Sequence, residues 1–229
     1  MIPYGKQDIT EDDINQVIKV LKSDFITQGP VLPAFEKELA LLANSKYAVA
    51  MNSATSALHL ACDAIGLKKN DWLWTSPISF VASANCGRYC GANIDFIDID
   101  PFTFNICPEK LEKKLLLAHK KSLLPKVIVA VHLAGKSCDM EQIYNITKLY
   151  NIKIIEDASH AIGAFYQKEP VGSCKYSDIT VFSFHPVKII TTGEGGAALT
   201  NNKKYFETME SKRQHCIEKK FNEVDFRNN

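Results

Sequence analysis

Apolar residues recur along the chain in two patterns, short runs and helical stripes. The short runs predict strands at 47–50, 73–75, 94–98, 126–132, 153–156, 179–184 and 197–200. Helical spacing predicts helices between them at 54–65, 80–89, 108–119 and 140–150. Strands that alternate with helices indicate an α/β fold whose mainly parallel sheet lies between helices.

The chain begins with a predicted helical segment, residues 1–45. Thr10 is a candidate N-cap, acidic residues follow at 11–13, and apolar residues recur at helical spacing over 14–21. The polar stretch 203–229 is interpreted as a helix followed by an unfinished segment. Since no Pro-, Gly- or Ser-rich linker divides the chain, we expect residues 1–229 to form one large domain.

Composition excludes several classes of protein. The chain has 229 residues, with 27 basic and 26 acidic side chains, so it lacks the basic excess that is typical of nucleic-acid binding. It has no apolar stretch of roughly 20 residues to cross a bilayer, and its first residues do not resemble a secretory signal. The seven scattered cysteines complete no zinc set, which favours reduced thiols in the cytoplasm and no metal site.

A lysine stands in an unusual position near the end of the chain. Lys188 closely follows a predicted buried strand and precedes a glycine-rich turn at 193–196. Partial burial lowers the pKa of an ammonium group, which suits Schiff-base chemistry. A structural lysine that lays its stem on apolar surface is an equally good interpretation of this segment alone.

Acidic and imidazole side chains follow another predicted strand. Asp157 and His160 lie where a parallel strand ends, the edge at which open α/β sheets bind ligands. A carboxylate there can pair with the protonated pyridine nitrogen of pyridoxal phosphate. The alternative is an aspartate that caps a helix.

Two further strand-to-helix junctions carry candidate binding residues. Small hydroxyl residues at 53–56 precede a helix, whose free N–H groups would form a phosphate site. Phe80 follows the next strand, where it could stack on a flat ring. Simple helix capping and an ordinary core phenylalanine are the alternatives.

Taken together, these segments resemble the DegT/DnrJ/StrS family of sugar-nucleotide aminotransferases. The matching segments are NSATSAL (52–58), SPISFVASAN (76–85), HLAGKS (132–137), EDASHAIGA (156–164), FSFHPVK (182–188) and ITTGEGGAALTN (190–201). The resemblance implies the large, cofactor-binding domain of the fold type I transferases that use pyridoxal 5'-phosphate. It also implies a smaller C-terminal domain, to which 203–229 would begin the connection and which these 229 residues lack.

The resemblance assigns roles residue by residue. Lys188 would form the Schiff base with the cofactor and later move a proton, and Asp157 would keep the pyridine nitrogen protonated. His160 would lie near the phenolic oxygen, and Phe80 would stack on the ring. The phosphate would be bound by Ala54, Thr55 and Ser183, and the sugar nucleotide by Tyr4, Asp24, Phe25, Ile26 and Thr27.

The resemblance also implies a reaction. L-glutamate would donate its amino group, which would pass to C4 of a UDP-4-keto-6-deoxy-HexNAc in the synthesis of surface glycans such as pseudaminic acid. Family members are homodimers with active sites at the interface. Two alternatives stay open, namely another nucleotide keto-sugar as substrate, or a truncated, non-catalytic remnant. Trp72 and Trp74 depart from the family pattern, and the sequence does not explain them.

Overall fold

A computed structural model describes residues 5–217. Its main element is a seven-stranded sheet in the order β1-β9-β8-β5-β4-β2-β3, and β6 and β7 form a separate hairpin. The strands are β1 (Tyr47–Met51), β2 (Trp72–Thr75), β3 (Asn93–Phe96), β4 (Val127–Val131), β5 (Lys153–Asp157), β6 (Phe165–Tyr166), β7 (Glu169–Pro170), β8 (Ile179–Ser183) and β9 (Gly196–Thr200).

Seven α-helices accompany these strands in the described part of the chain. They are α1 (Glu11–Leu21), α2 (Val31–Ala43), α3 (Ala54–Ile65), α4 (Ala82–Tyr89), α5 (Pro108–Lys120), α6 (Met140–Lys148) and α7 (Lys203–Arg213). None of the helices within residues 5–217 is both long and apolar enough to cross a membrane.

The sheet is parallel except at β9, which runs antiparallel to both β1 and β8. The pairs β2–β3, β2–β4, β4–β5 and β5–β8 are all parallel. The prediction of a mainly parallel sheet between helices is therefore confirmed. The carboxyl ends of β1, β2, β4, β5 and β8 meet at one edge, and functional residues on several strands can converge there.

Alternating side chains divide the core between the two faces of the sheet. On β4, Val127, Val129 and Val131 pack in a cluster with side chains of α3 and α4. Ile128 and Ala130 point the other way, into a cluster with α5 and α6. Because β4 is buried on both faces, its sequence is a continuous apolar run.

Several predicted elements have ends that lie one or two residues from the observed ends, and three points are of more consequence. The predicted helix 80–89 begins at Ala82, so Phe80 lies in the preceding loop. The β6–β7 hairpin was not predicted, because each strand has only two residues and no periodicity. Helix α1 has Thr10 as its N-cap, as predicted, within a capping box completed by Asp13, but no residue of α1 is buried.

The two tryptophans that the sequence left unexplained belong to the cluster beside α5 and α6. Trp74 is buried there, Trp72 is partly buried against the same cluster, and the Nζ atom of Lys114 lies 4.6 Å from the centroid of the Trp74 ring. This ammonium–ring contact and the surrounding aliphatic side chains pack the bulky β2 residues.

Candidate active site

A cavity of about 300 Å³ opens at the carboxyl edge of the sheet. Its size lies at the lower end of the range of small-molecule sites. Residues from six segments line it, among them Ser53, Ala54, Thr55, Phe80, His132, Leu133, Asp157, Ser159, His160, Ser183, Lys188 and Glu194. Seven predicted cofactor residues, which come from segments far apart in sequence, therefore share one cavity.

Asp157 is the last residue of β5 and is almost fully buried. Its Oδ2 accepts a hydrogen bond from the Ser83 hydroxyl at 2.6 Å, and its Oδ1 accepts from the hydroxyl of Ser159 at 2.6 Å and from its N–H at 3.2 Å. No helix begins at this residue, so the alternative of a helix N-cap is wrong. A carboxylate has about four acceptor positions, so one remains for a ligand in the cavity.

Lys188 and His160 are half-buried groups that face the same cavity. Burial lowers the pKa of Lys188 below its ordinary value of 10.5, and the nearby Asp157 carboxylate opposes this shift in part. The pKa of His160 is also lowered, first by burial and then by the charge of Lys188. Both shifts favour the neutral, nucleophilic or proton-accepting form of these groups near neutral pH.

Helix α3 begins at the cavity with unsatisfied donors. The hydroxyl of Ser53 caps the helix by accepting from the N–H of Ser56 at 3.1 Å. Within residues 5–217, the N–H groups of Ala54 and Thr55 have no acceptor. Capping by Ser53 and anion binding by the next two amides are therefore compatible, since a helix N-terminus has four free donors.

A glycine allows β9 to pass close to this helix terminus. A Cβ atom at Gly196 would lie 2.3 Å from the backbone nitrogen of Ala54. Any side chain there would displace the start of α3. The glycine-rich turn after Lys188 thus has a steric role in forming the anion site.

Phe80 lies at the cavity mouth and exposes 69% of its surface. It is not a core residue, so the alternative of an ordinary packed aromatic is wrong, and its ring is available to a ligand. Ser183 ends β8 with its side chain buried in the cavity wall.

The predicted sugar-nucleotide residues are not brought to the cavity. The segment with Asp24, Phe25, Ile26 and Thr27 lies in the loop between α1 and α2, outside the cavity lining, and Ile26 is 72% exposed. Tyr4 lies outside the described residues.

Sequence reasoning missed a second polar group, one member of which, His132, lines the cavity. The wholly buried His132 has its Nε2 2.7 Å from Oε2 of Glu156, and its Nδ1 accepts from the N–H of Cys138 at 3.1 Å. Since Nδ1 is an acceptor, the ring proton lies on Nε2 and is donated to Glu156. Oε1 of Glu156 accepts from the hydroxyls of Ser177 and Thr180. The sequence signals for this pair were the adjacent acids at 156 and 157 and the segment HLAGKS, which begins with His132.

Comparison with known proteins agrees with this geometry. Residues 7–227 match the model of the DegT/DnrJ/EryC1/StrS aminotransferase family. The chain belongs to this family. It is 44% identical over 220 residues to the UDP-4-amino-4,6-dideoxy-N-acetyl-beta-L-altrosamine transaminase of Campylobacter jejuni, an alignment that covers 96% of this chain and 57% of the relative.

Two solved structures resemble the chain. One is the Helicobacter pylori aminotransferase PseC, which is involved in the biosynthesis of pseudoaminic acid (TM-score 0.86, 35% identity, 96% of this chain and 58% of that chain). The other is the pyridoxal-phosphate form of the sugar aminotransferase Spr1654 from Streptococcus pneumoniae (TM-score 0.81, 31% identity, 93% and 57%). The chain spans somewhat more than half the length of the relatives that it matches.

The cavity fits the cofactor of the DegT family. It combines free amides at a helix terminus for a phosphate, an acceptor position on Asp157 for a ring nitrogen, and an exposed phenylalanine for the ring face. Lys188 supplies an amine with a lowered pKa. These are the groups that an anionic, pyridine-based aldehyde requires.

Proposed function

We propose that this chain is the pyridoxal-phosphate-binding large domain of a nucleotide-sugar aminotransferase. The observation that carries the proposal is the convergence of Asp157, Lys188 and the free N-terminus of α3 on one cavity. Family membership supports this interpretation, since the family is one of aminotransferases.

When bound, pyridoxal phosphate supplies an aldehyde that captures amines and a ring that withdraws electrons from the bond to be broken. The N–H groups of Ala54 and Thr55 and the Ser183 hydroxyl would hold its phosphate. Asp157 would accept a hydrogen bond from the ring nitrogen and keep that nitrogen protonated. Ser83 and Ser159 orient the carboxylate for this task.

Lys188 is the proposed nucleophile and proton carrier. Burial lowers its pKa, so a larger fraction of its amine is neutral than in an exposed lysine. The neutral Nζ would be the group that bonds to the cofactor aldehyde, and it would hold and return a proton at the substrate carbon. The imidazole of His160 is proposed to lie at the phenolic oxygen.

We propose L-glutamate as amino donor and a UDP-4-keto-6-deoxy-HexNAc as acceptor, with amination at C4. The support is the 44% identity to the Campylobacter jejuni enzyme, whose name gives a UDP-4-amino-4,6-dideoxy sugar. The free cysteines fit a reducing compartment, and we propose the cytoplasm.

We also propose that a second copy of the chain covers the cavity mouth. Phe80 and Val187 line the cavity and are exposed, and their sequence neighbours Ile78, Val81 and Ile189 are exposed apolar residues as well. Such a patch on a monomer usually marks an interaction site.

Cofactor capture by Lys188 is the decisive test. The purified 229-residue chain is mixed with pyridoxal phosphate, reduced with borohydride, digested, and analysed by mass spectrometry. We expect the reduced cofactor on the peptide that contains Lys188, with labelling that rises with pH around a midpoint below 10.5, because the reactive amine is the deprotonated one.

Two variants control this experiment. Lys188→Ala should lose the label, whereas Lys175→Ala, which removes a surface lysine paired with Glu169, should keep it. Addition of L-glutamate before borohydride should prevent labelling of Lys188 and release 2-oxoglutarate. Labelling spread evenly over surface lysines, unchanged in Lys188→Ala, would overturn the proposed cofactor site.

A further inference from the structure

A strained turn borders the cavity where β4 ends. Leu133–Gly135 form a single 3-10 turn in which Ala134 and Gly135 have φ values of 53° and 85°. The left-handed region is unfavourable for alanine. Such a conformation persists only when the surroundings hold it in place.

Asn105 holds this turn at both ends. Its side-chain Nδ2 donates to the carbonyl of Lys136 at 2.9 Å, and its Oδ1 accepts from the N–H of Leu133 at 3.0 Å. Asn105 is only 2% exposed. It comes from the loop between β3 and α5, where its own carbonyl accepts from Asp100. One buried amide thus joins two loops that are about 30 residues apart in sequence.

In this position, the turn packs at Gly135 against the backbone of His160. A Cβ atom at Gly135 would lie 2.8 Å from the carbonyl oxygen of His160. The absence of a side chain at Gly135 is therefore what allows the two segments to pack. Leu133 and His160 then both line the cavity.

We propose that Asn105 is a positioning residue for His160. Asn105 fixes the turn 133–136 by two hydrogen bonds. Gly135 of this turn packs against the His160 backbone and so positions His160 at the cavity. The inference rests on the proposed function only in giving His160 a cofactor-facing role. Its structural part, the coupling of Asn105 to His160, stands on contacts that require no bound ligand.

The test is a histidine titration by NMR in the 229-residue chain without cofactor. The His160 signal is assigned from its loss in His160→Gln. The charged groups that face His160 are Lys188, which lowers its pKa, and Asp157, which raises it, while burial has the largest effect and lowers it. In Asn105→Ala we expect an upward shift of the His160 midpoint, because a displaced ring gains water.

A matched variant distinguishes positioning from general loosening of the fold. Asn201 makes the same pair of bonds, from the N–H of Lys46 and to the carbonyl of Ser173, away from the cavity. Asn201→Ala should leave the His160 midpoint unchanged. An unchanged His160 midpoint in folded Asn105→Ala, or an equal shift in both asparagine variants, would overturn the proposal.

A second pair of variants tests the same contact from the other side and serves if Asn105→Ala does not fold. Gly135→Ala places a methyl group against the His160 carbonyl, whereas Gly66→Ala imposes the same positive φ, +83°, with no atom within 4 Å. We expect Gly135→Ala to shift the His160 midpoint and Gly66→Ala not to. Equal midpoints in these two variants would contradict the coupling.

The two proposals fail separately. The His160 midpoint could shift in Asn105→Ala and Gly135→Ala while Lys188 never captures pyridoxal phosphate. That result would refute the proposed function and keep the positioning role of Asn105. Cofactor capture with an unmoved His160 titration would do the reverse.

Discussion

Two acidic residues that are adjacent in sequence serve opposite faces of the sheet. Asp157 points toward α3 and α4 and lines the cavity, whereas Glu156 points to the other face and bonds to the buried His132. Both carboxylates accept three hydrogen bonds. The difference between them therefore lies in their surroundings and not in how many donors they have.

The hydrogen-bond partners of Glu156 and Asp157 explain why the two acids have different roles. Glu156 is bonded to the end of β4 and to the segment that enters β8, so it ties the two neighbours of β5 together below the site. Asp157 lines the cavity, is bonded to Ser83 and Ser159, and has one acceptor position that these bonds do not use. Stability should depend chiefly on the first acid and chemistry on the second, which substitutions can test.

The largest expected effect is on stability, from His132→Ala. This change leaves Oε2 of the buried Glu156 carboxylate without a donor and also removes the acceptor of the Cys138 N–H. We expect the free energy of unfolding to fall by about 3 kcal/mol, because a buried carboxylate that loses a hydrogen-bond donor costs more than a neutral group would. Urea denaturation followed by circular dichroism measures it.

The exposed His119, whose ring lies 5.4 Å from that of Tyr150, supplies the control. His119→Ala should change the free energy of unfolding by less than about 0.5 kcal/mol, as is typical of surface positions. Glu156→Gln added to His132→Ala should restore part of the loss, because it removes the uncompensated charge. Equal losses in the two histidine variants would show that the buried pair does not stabilise the fold.

The next effect is on chemistry, from Asp157→Asn. An amide keeps the size of the carboxylate and can still bond to Ser83 and Ser159, but it cannot hold a positive charge on a ring nitrogen. We expect the rate of glutamate deamination to fall by roughly 100- to 1000-fold, the scale for one misplaced charge or donor in a site. Stopped-flow absorbance of the bound cofactor follows that rate.

The matching substitution at the other acid, Glu156→Gln, is the control for Asp157→Asn. Glu156→Gln should leave the rate of the folded enzyme within a factor of a few of the parent chain, since this side chain faces away from the cavity. A rate loss in Glu156→Gln as large as that in Asp157→Asn would show that the two faces are not independent.

The sequence predicted the local elements at the cavity edge of the sheet well, but it did not predict the contacts between distant segments. Apolar periodicity placed β5 and therefore Asp157, and the small residues at 53–56 placed the start of α3, because both signals are local. The partner of Asp157, Ser83, is 74 residues away, and no local pattern indicates that contact. The same holds for Asn105 and its turn, which depend on packing between distant loops.

The segment 24–27 is a contrasting case. Its assignment to the sugar nucleotide depended on spacing relative to family motifs and stays a prediction, and the structure places the segment on the surface outside the cavity. Spacing along a loop does not determine where that loop folds, whereas spacing along a strand or helix determines the face on which a side chain lies.

The smallest expected effect is a change in acid sensitivity. Burial alone would raise the pKa of Glu156, but hydrogen bonds from His132, Ser177 and Thr180 hold it below the ordinary 4.5. A carboxylate whose folded pKa is lowered contributes stability that is fully present above its unfolded pKa and is lost as the pH falls through the folded value. The free energy of unfolding should therefore decline as the pH drops below about 4.5.

Glu156→Gln, although less stable at neutral pH, should show a shallower decline over this acid range. Exposed acids with lowered pKa values, such as Asp98 and Asp100, contribute to the slope in every variant, so the comparison must be made against a matched surface change. Glu112→Gln, on the solvent face of α5, serves for this purpose and should keep the parent slope.

Identical acid slopes in the parent chain, Glu156→Gln and Glu112→Gln would mean that the buried pair adds no pH-dependent stability. The role of Glu156 would then be limited to packing, and the contrast with Asp157 would concern chemistry alone.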